Sequence, residues 1–132
     1  MSFVGNGDDQ NWFHFALPTP VLVGGTADGN RARVLRVFVL FNAEQFVEVD
    51  NVSAFDGPRG IALDESSPSG NTGQLDGSRG LADLQPGRTM FSVGDGGHEM
   101  LWGLGISVHV SFGRHAKITF TGAGADFEIP DL

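Results

Sequence analysis

The sequence predicts an all-β protein: a two-layer antiparallel β-sandwich of jelly-roll or immunoglobulin-like type with seven or eight strands. Three observations carry this expectation. In the run 101–113 (LWGLGISVHVSFG), Ile106, Val108, Val110 and Phe112 fall on one side of an extended chain, and Ser107, His109 and Ser111 fall on the other, which is the period of a strand with one face in a core and one near water. No segment keeps apolar residues at helical spacing for long. Charged residues make up only 18% of the chain, so the polar surface must come mainly from Gly, Ser, Thr, Asn and Asp, a composition suited to many turns.

Taken in order, residues 1–10 read as a short lead-in, and 11–17 form a first strand in which Phe13, Phe15 and Leu17 alternate against Trp12, His14 and Ala16. Pro18 and Pro20 end it or confine it to an edge, because neither can donate a backbone hydrogen bond. A short extended piece at 21–23 precedes a turn region at 24–30. Residues 32–41 form the strongest early strand, with Leu35, Val37, Val39 and Phe41 on one face and Val34, Phe38 and Leu40 on the other. Apolar on both sides, it calls for a core on one face and a second cover on the other: a loop, a second sheet or a neighbouring chain. Residues 46–55 are expected to be its antiparallel partner, joined through 42–45, with Glu48 and Asp50 on a wet side. A turn at 56–58 leads to a short strand at 61–63. The stretch 64–80 has almost no apolar anchor and reads as a long surface loop, since connections beyond about 12–15 residues are uncommon in compact domains. Strands follow at 88–93, 100–112, 117–121 and 125–129, with turns at 94–97 and 113–115 and a glycine-permitted bend at 122–124.

With 132 residues the chain reads as a single sandwich domain over 11–132 behind its lead-in. It has no cysteine, which excludes thiolate catalysis and cysteine-based zinc or iron sites. A formal net charge of -8 opposes attraction to phosphate backbones and anionic membranes, so neither nucleic acid nor membrane is an expected partner. No stretch approaches the roughly 20 apolar residues of a membrane span, and the first residues lack a basic segment followed by an apolar run. That favours a cytoplasmic location, although a mature secreted form would look the same.

No motif names a reaction. Gly103 and Gly105 lack the third glycine and following helix of a dinucleotide fingerprint, and no serine sits in the glycine-flanked elbow of a hydrolase. The four histidines, His14, His98, His109 and His115, have no zinc-motif spacing, although His14 and His109 lie on strands that could bring them together across a sheet. Loops carrying Asp8 with Asp9, Asp64 with Glu65, and Asp95 with Glu99 offer hard oxygen ligands, but none has the alternating spacing of a calcium loop. Neither a metal, a cofactor nor a catalytic residue is assigned. The candidate ligand-binding residues are Trp12 and Trp102 as stacking platforms, His14 and His109 on strands, and Asn71 and Asp76 in the long loop.

The segments 11–23 (NWFHFALPTPVLV), 36–42 (RVFVLFN), 51–58 (NVSAFDGP), 102–110 (WGLGISVHV) and 118–127 (ITFTGAGADF) together resemble a family of small bacterial proteins that carries only a domain-of-unknown-function label. The resemblance implies a bacterial single-domain β protein and brings no catalytic residues. Members carry a further amino-terminal segment with a Trp and alternating apolar residues, where this chain has ten residues. If that segment is a strand in relatives, the edge it covers there must be covered here by another element or another subunit.

The expected function is that of a non-catalytic β-sandwich that binds a ligand or self-assembles as a homo-oligomer. The alternative is a lectin-like carbohydrate-binding module, calcium-assisted or not. A small hydrolase or isomerase using His14 or His109 is the third reading, favoured by close placement of a histidine, an acid and a hydroxyl.

Overall fold

The computed structural model describes residues 2–20, 31–64 and 71–129. Among the described residues eight strands follow in chain order: β1 (Ser2–Ala16), β2 (Arg33–Ala43), β3 (Val47–Asp56), β4 (Arg59–Ile61), β5 (Gly73–Leu75), β6 (Met90–Ser92), β7 (His98–Glu99) and β8 (Leu104–Glu128), with one short 3-10 turn at Gly80–Asp83. Two antiparallel sheets pack against each other as a β-sandwich. The segments expected at 21–23 and 24–30, and residues 65–70 of the expected long loop, lie outside the described residues.

β8 organises both layers. Its first half, from Leu104 to Phe112, lies between β3 and the second half of β1, and β4 extends β3. Its last part, from Ile118 to Glu128, pairs on one side with β2 and, at Ile118 and Thr119, on the other with the start of β1; β5, β6 and β7 continue from β2. One sheet is therefore β4-β3-β8-β1 and the other β1-β8-β2 with the three short strands, and β1 and β8 pass through both. The turn expected at 113–115 is instead a corner inside β8: His115 has φ 54°, and the Gly113 N–H donates to the Phe46 carbonyl. β1 turns the same corner, with register shifts on either side of Asn6.

Two further expectations are corrected. Residues 2–10 are not a lead-in but the first half of β1, paired with β8 from Ser2↔Thr119 onward. Their few apolar residues suffice because Phe3 folds back to lie 4.3 Å from Phe13, centroid to centroid, on the same strand. The segments of β2 and β3 are adjacent in sequence but are not hydrogen-bonded partners, because β8 lies between them in the ladder. The connection changes layer at Phe46, whose φ is 71°.

The core follows from the alternation. Val34, Val37, Val39 and Phe41 of β2, Val47, Val49 and Val52 of β3, and Ile106, Val108, Val110 and Ile118 of β8 are essentially inaccessible. A phenylalanine cluster closes the side of the sandwich beneath β1, where Phe13 and Phe15 each lie 5.2 Å from Phe120. A register shift between Val34 and Arg36 moves Val34 to the inward face of β2. The outward Phe38 and Leu40 are half-buried and lie against glycines: a Cβ on Gly124 would meet the Phe38 ring at 2.6 Å, and Cβ atoms on Gly77 and Gly122 would meet Leu40 at 3.1 and 3.5 Å.

The described part of the expected loop is also structured. Asn71 bridges Val49, β5 joins β2, and the fully buried Asp83 accepts the Gly77 and Arg79 N–H groups at 3.1 Å while its other oxygen meets the Arg79 guanidinium.

Candidate functional site

The outer face of the four-stranded sheet collects the polar side chains of three strands. Alternation sends Ser107, His109 and Ser111 of β8 outward, opposite the buried Ile106, Val108 and Val110. The register then fixes three rows from β1 through β8 to β3: Gln10–Ser111–Glu48, Trp12–His109–Asn51 and His14–Ser107–Ser53. The Leu17 N–H bonds to the Leu104 carbonyl, whereas the Trp12 N–H is met by the Asn11 side chain at 3.0 Å. Odd-numbered residues in this half of β1 therefore bond β8. Gln10, Trp12, His14 and Ala16 sit in the other kind of pair, where facing side chains approach most closely.

Those pairs make contact. The Trp12 and His109 rings lie 4.9 Å apart at 57°, and His14 Nδ1 is 2.6 Å from Ser107 Oγ. Alternation with the buried Val47 and Val49 sends Asp50 to the same face, and a bulge between Val49 and Asn51 adds Asn51 beside it; one Asp50 carboxylate oxygen accepts from His109 Nδ1 and the other from the Ser111 hydroxyl. With its Nδ1 proton committed to Asp50, a neutral His109 keeps Nε2 as an acceptor. Trp12 remains 47% exposed. Beyond Ser111 the face drops into a shallow cleft of about 290 Å³, lined in part by Phe46, Glu48 and Thr72.

Three of the six residues singled out from sequence thus come together: Trp12, His14 and His109. The other three do not join them. Trp102, 72% exposed, sits in an arch between Met100 and β8, over Gly57, where a Cβ would meet it at 2.8 Å. Asn71 is buried and donates to the Arg88 carbonyl at 2.8 Å, a structural role. Asp76 closes a local turn: hydrogen bonds from the Ser78 side chain and N–H hold its carboxyl below the usual range. Asp50, Ser107 and Ser111 belong to the cluster but were not singled out. The two serines alternate with His109 in sequence and Asp50 lies on the expected wet side of β3, but their meeting depends on the pairing of β3 with β8, which no local pattern marks.

His98 is a structural donor as well. Asp56 is fully buried and accepts from His98 Nε2 at 3.0 Å and from the N–H groups of Leu101, Trp102 and Gly103 at 2.9, 2.8 and 3.2 Å. Burial alone would raise its pKa, but these donors outweigh it and hold the carboxyl below its ordinary 3.8.

The outer face contains the groups of a hydrolytic site but not its arrangement. A nucleophile needs its hydroxyl on the imidazole that the acid orients. Here Ser111 bonds the acid, while Ser107 bonds the other histidine. The backbone N–H groups of a strand lie in the sheet plane, where the ladder uses them, so they do not form an oxyanion hole above the face. Among the described residues no group of three or more His, Cys, Asp or Glu is placed to hold a metal ion. The three rows include Glu48, beside Asp50, and no lysine or arginine.

Compared with known proteins, the chain matches no family, no curated protein and no solved structure.

Proposed function

We propose that this protein is a non-catalytic binding module that takes a neutral carbohydrate on the outer face of its four-stranded sheet. The observation that carries this reading is the half-exposed Trp12, set beside hydrogen-bonding groups held in place: His14 on Ser107, and His109 and Ser111 on Asp50. A tryptophan face packs on the apolar face of a pyranose, while fixed hydroxyl, imidazole and carboxylate groups meet its hydroxyls. The open face suits a chain lying along the surface, and the cleft beyond Ser111 offers room for a second ring. Two acids without a lysine or arginine in the rows favour a neutral sugar over an anionic one.

Titration against a panel of neutral oligosaccharides, read by calorimetry and by tryptophan emission, tests this. Trp102→Phe should bind as the parent does and leave Trp12 as the reporter. Trp12→Ala should weaken binding by roughly tenfold to a hundredfold, a cost of about 1.4–2.8 kcal/mol for a lost stacking surface. Selective binding by none of the panel, or an affinity indifferent to Trp12, would overturn the reading.

A further inference from the structure

β1 is the outermost strand of both sheets; among the described residues it pairs only with β8. The opposite margins are broken into pieces: β4, β5 and β6 have three residues each and β7 has two. Short strands are one way a sheet avoids accepting another chain, and charged residues, prolines and bulges are others. β1 is 15 residues long, and after its register shifts the stretch 10–16 (QNWFHFA) contains no proline, glycine, lysine, arginine or acid. Since odd-numbered residues there bond β8, the N–H and C=O groups of Gln10, Trp12, His14 and Ala16 point to the open side. The Asn11 side chain meets the Trp12 N–H.

We infer that this edge pairs with the same edge of a second copy, antiparallel and with the two-fold axis at Phe13. In that register Gln10 faces Ala16 of the second copy and Trp12 faces His14, so each residue with outward backbone groups meets another, as an antiparallel ladder requires. No charges are opposed. The Trp12–His14 pairs across the axis repeat the aromatic–imidazole contact that Trp12 already makes with His109. An edge without charge has no means of selecting an oppositely charged partner, whereas its own sequence is self-complementary. The two outer faces then become one, and each Trp12 gains a histidine from the other copy. That last consequence rests on the binding reading; the pairing itself does not.

Sedimentation velocity of the full chain, up to millimolar concentration, tests the pairing. The expected result is a doubling of mass that tightens with salt, because both copies carry a charge of -8. Gln10→Lys with Ala16→Lys sets like charges opposite each other twice and should raise the dimer dissociation constant roughly tenfold, whereas Gln10→Glu with Ala16→Lys should lower it by a similar factor. Both positions are exposed, so unchanged melting curves should accompany either result. A monomer throughout, or a dimer indifferent to both pairs, overturns the inference. Loss of sugar binding with the mass changes intact would instead remove the binding reading alone.

Discussion

Asp56→Ala is expected to destabilise the protein by about 3–5 kcal/mol, the range for removing one partner of a buried, fully engaged charge. The side chain is inaccessible and both oxygens are used: one by the Trp102 and Gly103 N–H groups, the other by Leu101 and His98. Alanine strands three consecutive backbone donors in the arch that leads into β8, and Trp102 loses its fixed position over Gly57. Asp56→Asn keeps the shape but turns an amide donor toward other donors, and should cost roughly 2 kcal/mol. Urea unfolding checks both values, and an Asp56→Ala loss below about 1 kcal/mol would remove the clamp as a stabilising element.

The same carboxylate has a defined acid dependence. Its pKa is lower in the folded protein than the ordinary 3.8. As pH falls below 3.8 the unfolded chain takes up the proton first, and stability is lost until the folded carboxyl also protonates. The wild-type advantage over Asp56→Asn should therefore shrink as pH falls through 3.8 and below. A difference that does not change with pH would show that the carboxylate's charge contributes nothing to the clamp.

What the sequence revealed follows its periodicities. The strand run ending at Phe112, the apolar β2 segment and the outward set Ser107, His109 and Ser111 were legible because alternation depends only on neighbouring residues. His14 and His109 were expected to approach each other across a sheet, and the ladder register that brings them to neighbouring rows adds Trp12 to them. The corner was not legible. Gly113 reads locally as a stop, yet β8 continues past it because β1 bends alongside and keeps the ladder paired, a relation between residues more than 100 positions apart. The order β3-β8-β2 was hidden for the same reason: local pattern favours a hairpin between adjacent strands, and only the layer change at Phe46 prevents it.

The corner itself predicts the second large effect, at a glycine in what the sequence alone presents as a lead-in. Gly5 is buried where β1 crosses Phe112, and a Cβ built on it would overlap the Phe112 side chain. Gly5→Val should therefore push β1 off β8 at the point where both change layer and cost about 3 kcal/mol, the upper end for overpacking a closed site. If the cause is that contact, it is removable. Phe112→Ala alone should cost about 3–5 kcal/mol through its cavity, but adding Gly5→Val to it should cost far less than in the parent, a coupling of about 1–3 kcal/mol in a double-mutant cycle. Additive losses would mean that Gly5 matters only for backbone freedom. No loss at all would mean that residues 2–10 are not held against β8, and the two-layer path of β1 would have to be abandoned.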